Sequence, residues 1–446
     1  MLIFLTFFIC LLLFLIFING ITYAEKKECT KYQCSPPTVT DPDLKVEMIY
    51  QGNDTLLKNE SNGVHLLSPV TKMAFLGNND ILLLNKNDGK VVRIVNHTIS
   101  EPLIDLNVAN KWERGLLGIA VSRNEEKTHV FLYYTESKSA DGRDICPTIF
   151  CAKPIEPIQN KLYRYDLLNN RLVNPMLLFA GPKSNIASHI GGALDIGPDN
   201  NVYLIVGDFH GNQNKTTTLV QNYKNGSLPD GRAGILRFTQ DGKPVGNGIL
   251  GKKYPLNLYY AYGIRNGYGL DFDPVSGTLW DTENGPGDGD EINLVNPGFN
   301  SGWNRVQGML RDSSEPNTGG SVLRQPKGLV DFNGRGKYSA PEFVWNHTVA
   351  PTALRFLDSD KLGENYKNDL LVASFNRGEI YHFDLNDDRT ALTLRNPDRL
   401  AEDQDAKSLT FVHGLGKITD MQVGPDGNLY VLSRYFNKGT IFKISK

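Results

Sequence analysis

Two stretches decide how this chain folds: Leu194-Asp195-Ile196-Gly197-Pro198-Asp199-Asn200-Asn201-Val202-Tyr203-Leu204 and Met421-Gln422-Val423-Gly424-Pro425-Asp426-Gly427-Asn428-Leu429-Tyr430-Val431. In both, an alternating apolar run meets a Gly-Pro-Asp turn and leaves it as a β-rich run with a central tyrosine. Period-2 alternation puts one face of each run in a core, and the turn residues supply the backbone angles of a tight reversal. Each stretch therefore predicts a β-hairpin. Weaker copies begin at Met73, Gly118, Leu270 and Leu354, and each is followed by a further β-like run, such as Lys161-Leu162-Tyr163-Arg164-Tyr165-Asp166.

Six hairpin units with almost no helical periodicity predict an all-β fold, a six-bladed β-propeller of four-stranded antiparallel blades, in which radial closure removes exposed sheet edges. The spacing gives about 70 residues per unit against the roughly 40 to 45 of a minimal blade, so the loops are long. A β-sandwich array is the alternative, but it would show linkers, and none is visible after about residue 45. The expected organisation is residues 1–24 as a signal peptide or N-terminal membrane anchor, 25–44 as an extension carrying a Cys pair, and 45–446 as the propeller.

Of 446 residues, Lys and Arg total 47 and Asp and Glu 49, a net charge of −2. No basic field exists to hold nucleic acid through its phosphates. Residues 2–18 are uncharged and apolar apart from Thr6 and Cys10, and Ala24 precedes a charged segment, which reads as a secretory signal or an uncleaved anchor. Both readings place the rest of the chain outside the cytoplasm, with membrane contact only through an uncleaved leader. Four cysteines remain beyond it, Cys29, Cys34, Cys146 and Cys151, in two C-x4-C pairs. An oxidising compartment favours disulfides, two local loops being the simplest of three connectivities; a zinc site is the alternative.

Propellers carry function on the loops at one end of the channel, and three loop regions stand out. His189, ahead of Gly191-Gly192, puts an imidazole where backbone can approach a ligand closely and where it can act as a base near neutral pH; a hydrogen-bonded turn histidine is the plain alternative. Arg265-Asn266 offers a cationic fork and an amide to a carboxylate or a developing oxyanion, or simply braces its loop. Asp281, Glu283, Asp288 and Asp290 fall within a glycine-rich run that suits a hard, oxygen-seeking cation such as calcium.

Several segments taken together resemble the soluble pyrroloquinoline-quinone-dependent glucose and aldose sugar dehydrogenases, the glucose/sorbosone dehydrogenase family. They are Gly115-Leu116-Leu117-Gly118-Ile119-Ala120, residues 189–208, residues 262–303, Val349-Ala350-Pro351, residues 374–378 and Gly424-Pro425-Asp426-Gly427, running in family order from about residue 65. The resemblance implies a secreted quinoprotein that oxidises the anomeric C–OH of an aldose to a lactone and passes electrons to an external acceptor. It makes His189 the base, Arg265 the group facing the quinone oxygen, and Asn266 and Glu113 neighbours of the cofactor. The carbonyls of Gly285 and Pro286 would hold a calcium acting as Lewis acid, and Asp290 and Glu291 would belong to a second, structural calcium. Where the family places three cations on the quinone carboxylates, this chain has Asn376, Lys417 and Thr419, with Arg377 beside the first. Trp345, near the Val349-Ala350-Pro351 turn, is a candidate for stacking on a sugar, with packing at the rim the alternative. A non-catalytic propeller that binds a protein or glycan is the second reading, and a calcium-dependent lactonase-type hydrolase the third.

Overall fold

The computed structural model describes residues 36–52, 69–124, 126–137, 158–210, 217–309, 311–312, 326–394, 400–401 and 403–446. The leader and all four mature cysteines lie outside these residues.

Nearly every described element is a strand, and the strands form six sheets of four or more, plus one two-stranded hairpin. The innermost strands, in chain order, are Val70–Gly77, Leu116–Arg123, Gly191–Ile196, Gly267–Phe272, Pro351–Phe356 and Lys417–Val423. Each pairs antiparallel with the next strand in sequence, so all six repeat copies are hairpins. The inner strands pack neighbour on neighbour, first to second and on to the sixth, which returns to the first. The result is an all-β propeller.

Local chemistry accounts for the hairpins. In the third sheet Asp199 receives the Asn201 N–H at 3.2 Å and the Tyr203 hydroxyl at 2.9 Å. Asp426 does the same with Asn428 and Tyr430 in the sixth. The turn needs a left-handed residue, supplied by Asn200 at φ 61° and by Gly427 at φ 77°. Between each pair of adjacent sheets lies one apolar cluster, for example Phe131, Leu162, Leu204 and Phe238 between the second and third. The cluster of Val70, Met73, Leu432 and Ile441 joins the sixth to the first. At about 25 cal/mol per Å² of apolar surface, these layers are the main force holding the sheets radially.

The chain's ends close the ring. Lys45–Gln51 is the outermost strand of the last sheet, paired with Lys438–Ser445. Ahead of it, within the expected extension, Thr38–Val39 pairs with Val412 and His413, and Asp41 accepts the Tyr366 hydroxyl at 2.7 Å.

Candidate active site

In an antiparallel hairpin the start of the first strand and the end of the second share one end. Register places Gly191 opposite Val206, Gly267 opposite Glu283, Pro351 opposite Ser374 and Lys417 opposite Arg434. His189, Arg265, Asn266, Gly285, Asn376 and Lys417 therefore all lie at the same end of the propeller.

His189 is only 6% exposed, and its Nδ1 lies 2.6 Å from Asp208 Oδ1. The other carboxylate oxygen accepts the Trp303 indole N–H at 2.7 Å. Burial pushes the Asp208 carboxyl up, but the bond and charge of His189, the indole N–H and Arg265 together hold it below the usual carboxylate range. An ionised Asp208 can only accept, so His189 donates its Nδ1–H to it and Nε2 is the nitrogen left for proton transfer. The His210 ring stacks on His189 at 3.6 Å between centroids, and the His210 backbone N–H also donates to Asp208, at 3.0 Å. His189, Phe209 and His210 all have φ between 51° and 55°. Left-handed non-glycine residues cost on the order of 1 kcal/mol each or more, and here the cost keeps two imidazoles and a carboxylate in one place.

Arg265 lies beside this pair, 9% exposed, its guanidinium carbon 5.4 Å from the Trp303 ring centroid and its Nη1 donating to the Asn284 carbonyl at 2.6 Å. Its Nε is buried without an acceptor among the described residues. Such an orphan costs about 1–3 kcal/mol and marks a place where an acceptor belongs. Asn266 accepts from the Gly191 N–H at 3.1 Å and donates to Glu113 Oε2 at 3.2 Å. The same Glu113 oxygen takes the Ile190 N–H and the Tyr268 hydroxyl. Glu113 thus ties together the loops carrying His189 and Asn266.

The acidic loop divides its carboxylates between two tasks. Asp290 accepts from Gly285 N–H, the Thr348 hydroxyl, Val349 N–H and Ala350 N–H, all within 2.8 Å. Both its oxygens are occupied by donors, and it fastens the 285 loop to the 348–350 turn. The carbonyls of Gly285 and Pro286 accept no hydrogen bond among the described residues. Below them Glu291 receives Gln307, Gly308, Asn293 and Ser301. Among the described residues Asp281, fully buried, has no hydrogen-bond donor on either oxygen, nor have Asn293 Oδ1 and Gln307 Oε1. Burial, then repulsion from Glu291, pushes the Asp281 and Glu283 carboxyls up.

Asn376 is exposed on the turn after Ser374, where its N–H and that of Phe375 bond Val349 and Ala350 carbonyls at 3.2 and 2.9 Å. Arg377 shares this turn, its N–H donating to the Ser374 hydroxyl at 3.1 Å. Lys417 holds its ammonium 5.3 Å from the Phe375 ring centroid, and Thr419 donates to the Leu432 carbonyl at 3.4 Å.

Trp345 does not stack on a sugar. It is 1% exposed and packed among Phe343, Tyr381 and Phe383, because the short strand Phe343–Trp345 turns both aromatics into the layer between the fourth and fifth sheets. Trp303 is the tryptophan at the site. Asp208 and Trp303 end two of the resembling segments, 189–208 and 262–303, but the sequence assigns neither a role. Antiparallel arithmetic could have found Asp208, since it lies two residues past Val202–Val206, the strand paired with the one that His189 precedes.

The family model for Glucose / Sorbosone dehydrogenase matches residues 67–443. An aldose sugar dehydrogenase of Escherichia coli K12 is 27% identical over 265 residues, 59% of this chain and 62% of that protein. The chain thus spans under two thirds of that relative's length. Quinoprotein glucose dehydrogenase B of Acinetobacter calcoaceticus is 27% identical over 419 residues, 80% of this chain and 81% of its own. Among solved structures, an oxidoreductase (glucose dehydrogenase) of Thermus thermophilus superposes with a TM-score of 0.65 at 25% identity, covering 90% of this chain and 99% of that one. The PQQ-bound aldose sugar dehydrogenase of Streptomyces coelicolor shares the fold, with a TM-score of 0.59 at 20% identity over 92% of this chain and 100% of its own.

Proposed function

Because the chain belongs to the glucose/sorbosone dehydrogenase family, we propose that it is a pyrroloquinoline-quinone-dependent oxidoreductase acting on the anomeric C–OH of an aldose. The observation that carries the reading is the buried His189–Asp208 pair set beside Arg265 with its orphaned Nε. A propeller that only bound a protein or glycan would have no use for a base held in one tautomer.

The site suits the cofactor on three counts: the Arg265 Nε without an acceptor, the unengaged Gly285 and Pro286 carbonyls, and a cationic Lys417 at the rim. Arg265 and Asn266 would lie against the quinone, Gly285 and Pro286 would hold a calcium, and Lys417 would face a carboxylate. When bound, the quinone with its calcium is the two-electron acceptor for the sugar's hydride. His189 Nε2 takes the proton of the anomeric hydroxyl as the C–H bond breaks, leaving a lactone. Asp208 stabilises the imidazolium that results, and Trp303 fixes the carboxylate. Glu113 holds the two loops in register, and Arg265 favours charge developing in front of it.

In this reading the six sheets are the six blades of one ring. The protein works outside the cytoplasm, exported by its leader or anchored by residues 2–18, and passes electrons to an external acceptor. The two C-x4-C pairs then form disulfides, while Asp290 keeps its loop-fastening task.

The test is reconstitution of the purified chain with the quinone and calcium, followed by aldose-dependent dye reduction. Uptake at micromolar quinone with dye reduction is expected; no uptake sinks the proposal. His189→Ala should remove about 10²–10⁴-fold of turnover, the usual share of general base catalysis, with quinone affinity nearly unchanged.

A further inference from the structure

Lys417 and Arg434 are direct cross-strand partners in the sixth sheet and so share one face. Like charges placed directly opposite each other destabilise a sheet. Among the described residues neither cation has a carboxylate partner, and the Arg434 Nε is buried with no acceptor at all. Burial and the nearby guanidinium both lower the affinity of Lys417 for its proton. The chain therefore bears two costs at one spot, repulsion and an unmet donor, and among the described residues no carboxylate offsets them.

The spot is joined to the catalytic end. Lys417 sits over Phe375, whose turn bonds the 349–350 carbonyls, and those residues' N–H groups bond Asp290, which also holds Gly285. Asn376 and Thr419, on either side, are neutral. A ligand carrying carboxylates beside these two residues would relieve both costs at once, since an anion between two cations turns their repulsion into attraction and gives the Nε an acceptor.

Resting on the reading of function above, we infer that Arg434 and Lys417 together form the carboxylate-binding site for the quinone. Arg434 supplies from the neighbouring strand the charge that Thr419 lacks.

Quinone binding to the apo-protein with calcium present, followed by quenching of tryptophan fluorescence, tests this without turnover. Arg434→Gln should weaken binding by about tenfold or more, the worth of one charge-assisted hydrogen bond, and Arg434→Lys by less. The affinity of the wild type should fall more steeply with added NaCl than that of Arg434→Gln. Because the apo-protein loses a repulsion, Arg434→Gln should melt no lower than the wild type, while its melting temperature rises less on adding quinone. Equal quinone affinity in wild type and Arg434→Gln overturns the inference alone, as does an apo melting temperature that falls in Arg434→Gln, the sign of a structural arginine. A wild type that takes up no quinone overturns the functional reading, and the inference with it.

Discussion

The chemistry of the site is concentrated in the geometry around His189. Its Nδ1 is committed to Asp208, its ring is stacked on His210, and its backbone is left-handed, so only Nε2 is free to act. Burial, then the neighbouring His189 charge, pushes the His210 imidazole down to about 4 from an ordinary 6.5. Between these two values the unfolded chain binds more protons at His210 than the folded chain does. The stability tied to a neutral His210 is therefore fully present above about pH 6.5 and is lost as pH falls toward 4. Replacing it by a side chain that cannot titrate removes that dependence: melting curves of His210→Gln should gain on the wild type as pH drops from 6.5 to 4. A difference that stays constant over that range would mean His210 titrates normally.

At the scale of the elements, close approach of the inner strands depends on glycine. A Cβ on Gly118 would lie 2.4 Å from the Gly192 carbonyl oxygen on the neighbouring inner strand, a backbone atom that cannot swing aside. Gly118→Ala should cost about 1–3 kcal/mol by overpacking, read from the shift of a urea unfolding midpoint at unchanged slope. The hairpins were legible in the sequence because their causes are local: Gly197-Pro198-Asp199 and Gly424-Pro425-Asp426 carry their own turn chemistry a few residues from the strands they join. Trp345 was misread because its burial is decided by Tyr381 and Phe383, on a strand far along the chain, which no local pattern reveals. Arg434 was passed over for a related reason. In the sequence the one spare cation beside these positions is Arg377, next to Asn376, whereas strand pairing brings Arg434 opposite Lys417.

The whole molecule is nearly neutral, and part of that balance is spent in the channel beneath the site. Lys72, from the first sheet, donates to the carbonyls of Tyr268 at 3.0 Å and Thr352 at 3.1 Å and to Asp420 at 3.3 Å, tying four of the six sheets through one ammonium. Arg355 does likewise with Asp195, the Leu270 carbonyl and Asp271. Radial apolar layers hold each sheet to its neighbours, but these ions join sheets across the ring. Their removal is therefore a test of the closed architecture. Lys72→Met takes away the ammonium and leaves the buried Asp420 with the Met73 N–H at 2.9 Å and the Gln422 amide at 3.2 Å. An uncompensated buried charge costs about 3–5 kcal/mol, and because the Arg355 charge still acts on Asp420 the variant should lose stability up to that scale. Adding Asp420→Asn should recover much of the loss, because the second change neutralises the stranded carboxylate while keeping an acceptor for Met73. Urea unfolding of the single and double variants measures both quantities. A single-variant loss below about 1 kcal/mol would mean that the pair behaves as a solvated surface bridge, and that the apolar layers alone close the ring.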